Sequence, residues 1–152
     1  MSTVTDILAR ARARNQPLPY AGSVTPEEAH GLLSADPHAK LVDVRTHAER
    51  DWVGRVAIAE RQHAAVEWNT YPGAAPNPKF LEQLAAVAEK HDILLFMCRS
   101  GVRSRQAATL ATENGYRHCL NILGGFEGDK DGNGHRKTVA GWCQADLPWL
   151  GA

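Results

Sequence analysis

The sequence predicts an α/β domain built on a doubly wound, mostly parallel sheet of about five strands flanked by helices. The apolar run ILLFM, residues 93–97, has no polar break, as expected of a strand covered on both faces in a parallel sheet. Segments of strand character also alternate with segments whose apolar residues recur at helical spacing, the pattern of repeated strand-helix-strand crossovers. The length of 152 residues suits one compact domain with a real core.

Each element follows in order. Val4, Ile7, Leu8 and Ala11 recur at helical spacing, so residues 1–19 read as a peripheral helix and linker ending at Pro17-Leu18-Pro19, with the main domain over 20–152. No apolar stretch there is long enough for a signal peptide or membrane span, and the Arg-rich start reads as that helix in preference to a targeting peptide. Thr25, Pro26 and Glu28 form a capping-box signature with proline at the first helical position, predicting a helix from about 26 to 34. KLVDVR (40–45) reads as a strand, THAERDWVG (46–54) as a short helix and RVAIA (55–59) as another strand. In PNPKFLEQLAAVAEKH (76–91), Phe80, Leu81, Leu84, Val87 and Ala88 mark a helix. After the 93–97 strand, Ala107, Ala108, Leu110 and Ala111 place a helix at 104–113, stopped by Asn114-Gly115. HCLNIL (118–123) is the last strand before GGFEG, and a polar run follows from Gly128 to Lys137.

Lys plus Arg equals Asp plus Glu at 17 each, so the formal net charge is zero. That argues against a nucleic-acid partner recruited by bulk charge, and any anion must be bound locally. Cys98, Cys119 and Cys143 make an odd count without a CxxC pair. This fits a reducing, cytoplasmic setting better than a disulfide framework, and it gives no metal signature.

The informative stretch is FMCRSGVRSRQ, where Cys98 stands between an apolar strand and an Ala-rich helix. Ligands of open α/β sheets bind beyond the carboxyl ends of strands. Backbone N–H groups of such a turn and the positive end of the helix dipole form an anion site. Gly101 lets the chain bend, and the helix end and neighbouring arginines are expected to lower the pKa of a thiol held there, making it nucleophilic. A free cysteine at a strand end is ordinarily a small apolar residue. However, Arg99, Arg103 and Arg105 crowd the helix end where cations are disfavoured, which makes sense if an anion sits among them.

CRSGVRS, Cys98 to Ser104, resembles the active-site loop of rhodanese-like sulfurtransferases, in which a cysteine opens a short turn into a helix. The resemblance runs from about residue 23 to Pro148. LVDVRTHAERDWVGRV matches an Asp-Val-Arg strand end with its following Glu and Gly (Asp43, Arg45, Glu49, Gly54). LGGFEG matches the Gly-Gly turn, and WCQADLP the closing Trp and Leu-Pro. Two departures stand out. GRVAIA replaces the usual Gly-His-Ile-Pro-Gly-Ala, putting Arg55 in the histidine position, and Trp142 follows the Gly-Gly turn only after a 13-residue stretch, Asp129 to Gly141, read as a polar insertion at 129–141.

The resemblance implies sulfane sulfur transfer without a cofactor or metal. Cys98 would attack a small anionic donor such as thiosulfate, carry a persulfide, and pass the sulfur to a thiol, cyanide or protein-thiol acceptor. The backbone of Arg99, Ser100, Gly101, Val102, Arg103 and Ser104 would hold the persulfide, with Arg99 and Arg103 neutralising the donor. Asp43 and Arg45 are expected to brace the strand end as an ion pair. No nucleic-acid or membrane partner is implied.

Two other readings compete. Cysteine phosphatases and arsenate reductases use a similar Cys-to-Arg loop, with one residue more than the four, 99–102, that separate Cys98 from Arg103 here. A sulfur-carrying or regulatory module with little turnover is the second. Asp129, Asp131, Asn133 and Gly134 fit the early positions of a calcium loop, but the twelfth position, which needs a bidentate Glu, is Ala140, and a solvated loop is preferred. Trp52, Trp68, Trp142 and Trp149 read as core or rim packing. His91 reads as a helix-end residue and His118 as a strand-start residue. Cys119 reads as a buried small residue, and Cys143 as a candidate to resolve a Cys98 persulfide.

Overall fold

The computed structural model describes residues 3–14, 16–70, 72–73 and 75–151. Five parallel strands form the central sheet in the order β1 (Gly22–Val24), β8 (His118–Ile122), β7 (Ile93–Met97), β2 (Lys40–Asp43) and β4 (His63–Ala65). Helices cover both faces, as the unbroken apolar β7 requires: every residue of β7 is buried. Alternation along β7 divides the core. Ile93, Leu95 and Met97 join Ile7 and Ala11 of α1 (Thr3–Ala13), Leu32 and Leu33 of α2 (Pro26–Ala35), and Trp142 of α6 (Gly141–Gln144). Leu94, Phe96 and Cys98 join Phe80 and Leu84 of α4 (Phe80–Val87) and the alanines of α5 (Val102–Glu113). Cys98 is thereby assigned to the α5 face.

Local sequence explains the helix starts. The Thr25 hydroxyl accepts from Glu28 N–H at 3.1 Å while Glu28 Oε1 accepts from Thr25 N–H at 2.9 Å, the reciprocal cap that fixes α2. Thr46 and Glu49 repeat the device at α3 (His47–Val53). The first helix is less peripheral than its polar composition implies, since it packs so closely on β1 that a Cβ on Gly22 would stand 2.4 Å from the Ala11 carbonyl oxygen.

Several strands differ from the sequence reading, β1 among them, since residues 22–24 were not read as a strand. RVAIA is not a strand of the main sheet: only β3 (Arg55–Val56) is extended, paired antiparallel with β9 (Trp149–Leu150) in a separate two-stranded sheet. The edge strand on that side is instead β4, one histidine and two alanines too short to show an alternating sequence pattern, preceded by the 3-10 turn Glu60–Gln62. Gln62 secures that turn by donating from Nε2 to the carbonyls of Leu33, Asp36 and Ala39 at 2.8 to 3.1 Å. A separate hairpin pairs β5 (Asn69–Thr70) antiparallel with β6 (Ala75–Pro76). Among the described residues, no helix is long and apolar enough to cross a membrane.

Residues 129–140 form an irregular loop fastened at its neck, and Gly141, the last residue of the stretch read as an insertion, opens α6. Lys137 N–H donates to the Glu127 carbonyl at 2.7 Å and Arg136 Nη1 to the Gly128 carbonyl at 2.8 Å. Asp131 turns both carboxylate oxygens inward, accepting from Asn133 N–H, His135 N–H and the Thr138 hydroxyl at 2.8 to 2.9 Å. Those bonds hold its pKa below the usual value. The residue counted at a calcium-loop position is therefore the loop's own internal brace.

Glu28 supplies a test of the helix docking. Burial works to raise its pKa, but hydrogen bonds from Arg14, the Thr25 N–H and Arg10 outweigh this and hold it at about 2. A pKa lower in the fold than in the unfolded chain stabilises the fold above the ordinary value of 4.5 and loses that contribution as pH falls toward 2. Glu28→Gln is expected to cost about 1 to 2 kcal/mol at pH 6 and to flatten the decline between pH 5 and about 2.5, read by urea unfolding across that range.

Candidate active site

β7 ends at Met97, and Cys98 follows at the carboxyl edge of the sheet, with α5 starting at Val102. Gly101 is the residue before the helix, with φ 117° and ψ −3°, a left-handed conformation that glycine adopts without Cβ strain. Its N–H points back to Cys98 Sγ at 3.0 Å. The first-turn N–H groups of a helix lack intrahelical acceptors, so this end of α5 presents donors and the positive end of its dipole toward the sulfur. The helix starts two residues earlier than its apolar spacing indicates, which brings Arg103 and Ser104 into its first turn.

The carbonyl side of the turn is held from behind. Phe126 N–H donates to the Cys98 carbonyl at 2.8 Å, and Glu127 and Gly128 N–H donate to the Arg99 carbonyl at 2.9 and 3.1 Å. Gly125 makes this approach possible. Its φ is 62°, and a Cβ there would stand 2.4 Å from the Cys98 carbonyl oxygen. Trp142 N–H in turn donates to the Gly125 carbonyl at 2.8 Å, so the chain returning from the 129–141 loop locks the clamp.

Side chains complete the surroundings. The Ser104 hydroxyl lies 3.4 Å from Cys98 Sγ and donates to Asn121 Oδ1 at 2.6 Å. Cys98 is 1% exposed. Arg103 does not reach into the turn: its Nη1 and Nη2 fork onto the two oxygens of Glu49 at 2.6 and 2.9 Å. Burial works to raise the Glu49 pKa, yet the Arg103 fork, the Thr46 N–H and the Thr46 hydroxyl hold it at about 2. The Glu49 hydrogen bonds raise the Arg103 pKa, assisted by the charges of Glu49, Cys98 and Asp43. Arg99 is exposed, and no described residue pairs with its guanidinium. Thr46, Glu49, Asn69, Thr70, Arg99 and Arg103 line a hollow of about 350 Å³ over the turn. A larger hollow of about 740 Å³, walled by Arg55, Ile58, His63 and Leu150 among others, takes no residue of the turn.

A family model described as the rhodanese-like domain matches residues 25–131. The chain belongs to this family. Similar proteins include RC0915 of Rickettsia conorii, 36% identical over 80% of this chain and 91% of that one, and thiosulfate sulfurtransferase 18 of Arabidopsis thaliana, 33% identical over 68% and 74%. Among solved structures, Rv0390 from M. tuberculosis superposes with a TM-score of 0.80 at 41% identity, covering 88% of this chain and 99% of that one. The polysulfide-sulfur transferase of Wolinella succinogenes shares the fold at a TM-score of 0.61 and 20% identity, covering 97% and 89%.

In this rhodanese-like domain the residues singled out by sequence fall into two groups. Cys98 to Ser104 form the turn. Asp43 and Arg45 lie at the end of β2 as a fully buried pair, with Arg45 Nε at 3.0 Å from Asp43 Oδ1 and Nη2 at 2.8 Å from Oδ2. Arg45 also donates to the Gly54 carbonyl at 2.9 Å and stacks 4.2 Å from the Phe126 ring centroid. It reaches the turn through Phe126, whose N–H donates to the Cys98 carbonyl. Arg105 donates from Nε to the Gly101 carbonyl at 3.0 Å, bracing the same bend. Cys119 is buried beneath α5, and burial pushes its pKa to about 11. Cys143 packs on the α1 and α2 side of the sheet, the face away from Cys98, and burial likewise pushes it to about 11. Glu49, Asn121 and the hairpin residues Asn69 and Thr70 were not assigned to the site from sequence. Two signals place Glu49 just past the end of β2, its match to the Glu that follows the family's Asp-Val-Arg strand end and the Thr46-to-Glu49 capping spacing.

Gly125→Ala is expected to lower stability by about 2 to 3 kcal/mol and to slow alkylation of Cys98, because the new Cβ must displace the carbonyl that orients the turn. Gly132→Ala, at a position with open space around it, is expected to change stability by less than about 0.5 kcal/mol. Thermal denaturation and mass-resolved thiol labelling of the two variants check this.

Proposed function

We propose that this protein is a sulfurtransferase that carries sulfane sulfur as a persulfide on Cys98. The observation that carries the reading is the Gly101 N–H aimed at Cys98 Sγ from 3.0 Å, at the junction of a buried strand and a helix N-terminus. Fixed donors around a sulfur stabilise the charge it carries before and after loading, at no reorganisation cost during reaction. Family membership and the sulfurtransferase named among its relatives support the same activity.

The steps balance with no cofactor. The Cys98 thiolate attacks the outer sulfur of a donor such as thiosulfate, a new S–S bond forms, and the S–S bond of the donor breaks with its electron pair leaving on sulfite. The bond formed is about 2 Å long, so the carried sulfur stands that far beyond the buried Sγ. A thiolate or cyanide then takes that sulfur and returns Cys98 as thiolate. The phosphatase reading is disfavoured because its arginine must turn into the loop to hold a phosphate, whereas both terminal nitrogens of Arg103 are engaged by Glu49. Cys143 takes no part, since it packs on the opposite sheet face.

Incubation with thiosulfate should add one sulfur atom to the intact mass of the protein, cyanide should remove it, and Cys98→Ser should gain none. A wild-type protein that gains no sulfur, or a variant that gains it equally, would refute the persulfide. Arg99→Ala should raise the thiosulfate concentration needed for half-maximal loading by about five- to tenfold with no change in melting temperature. Cys143→Ser should load and discharge within about twofold of the parent, and a larger loss would return it to the mechanism.

A further inference from the structure

The hollow over the Cys98 turn carries less positive charge than its arginines imply. Arg103 and Glu49 occupy each other completely, two nitrogens on two oxygens at 2.6 and 2.9 Å, with only about a fifth of each side chain exposed (20% and 23%). Glu49 cannot readily swing away when a ligand arrives, because the same carboxylate accepts from the Thr46 N–H and hydroxyl, each at 3.1 Å, in the cap that starts α3. Among the described lining residues, Arg99 is then the one uncompensated charge.

We propose that the site selects singly charged organic sulfane-sulfur donors, of the thiosulfonate or persulfide type, over the dianion thiosulfate, and that Glu49 sets this preference. The inference rests on the sulfurtransferase reading above. One free guanidinium matches one negative charge, and a second negative charge on the donor meets the Glu49 carboxylate in a partly enclosed site where screening is weaker than in water. The space agrees with the charge. About 350 Å³, walled partly by Asn69 and Thr70 of the hairpin, is the size of a small organic ligand site, more than a small inorganic anion fills. Discrimination of this kind comes from an element that repels the wrong ligand as much as from one that attracts the right one. Glu49 acts on the donor through its own charge and by occupying Arg103, and is a positioning and selectivity residue.

Thiosulfate and the methanethiosulfonate anion separate the alternatives, because both deliver the outer sulfur to a thiolate by the same displacement. The first leaves as sulfite and the second as methanesulfinate, and charge is conserved in each case. Single-turnover loading of Cys98 in the full chain is measured for both donors, each rate being divided by its rate with a small free thiol to remove intrinsic reactivity. The normalised wild-type kcat/KM should favour methanethiosulfonate by about tenfold, and Glu49→Gln should move the ratio toward thiosulfate by about tenfold. The change should appear in the thiosulfate KM and leave kcat and the rate with neutral iodoacetamide within about twofold. Glutamine serves at the same capping position, so the cap is retained. An unchanged ratio in a folded variant overturns the charge rule. If the variant does not fold, the wild type decides: a normalised preference for thiosulfate, or a preference for the monoanion that does not narrow with added NaCl, overturns it. Loading by neither donor while iodoacetamide still labels Cys98 overturns the sulfurtransferase reading and the charge rule with it, whereas loading by both with an unaltered ratio removes the charge rule alone.

Discussion

The carbonyl oxygens of Cys98 and Arg99 point away from the thiol, into the N–H groups of Phe126, Glu127 and Gly128. A peptide unit has one donor and one acceptor on opposite edges, so fixing the acceptor edge from behind fixes where the donor edge can point. The two clamped units carry the Arg99 and Ser100 N–H groups, and the Gly101 N–H that reaches the sulfur belongs to the next unit, which continues from a start of the turn held in place. Gly125 contributes by what it lacks: any side chain there would occupy the space of the Cys98 carbonyl. The Gly-Gly turn, distant in sequence from the cysteine, is part of the same site.

Charge is distributed on a similar logic. Three arginines near the strand ends do three different things. Arg45 is sealed in the core against Asp43, where its value lies in joining the end of β2 to Gly54 and, by stacking, to Phe126. Breaking such a pair leaves an uncompensated buried charge, which costs far more than the intact pair contributes. Arg103 is neutralised by Glu49, and Arg99 alone faces the hollow unpaired among the described residues. Counting arginines near a cysteine therefore overstates the field a ligand meets.

What the sequence made legible was whatever is encoded locally. The unbroken ILLFM run, the Thr25-to-Glu28 cap and the glycine in the turn each carry their own physical signal, and they led to the strand, the helix and the bend. Residues 22–24 and 63–65 carry none. β1 is buried at all three positions and β4 is mostly alanine, so neither shows the alternation by which strands are recognised. RVAIA has that apolar character, yet its first two residues pair with β9 outside the main sheet, a choice made by tertiary packing. The Glu49–Arg103 fork spans 54 positions, and no spacing rule reaches so far. Its effect on the site could be read only from the fold.

The contact of Gly124 with Gly141, where a Cβ would stand 2.8 Å from a backbone nitrogen, has a bearing on biosynthesis. A ribosome-bound chain that has released β7 and α5 already possesses the cysteine and the helix, but not the segment from Gly141 to Trp142 that seats the Gly-Gly turn. Until that segment emerges Gly125 lacks the Trp142 N–H bond that seats it behind the turn. Cys98 and the segment that seats the Gly-Gly turn behind it are thus made at different times during synthesis, and a chain ended before Gly141 lacks the Trp142 bond to Gly125.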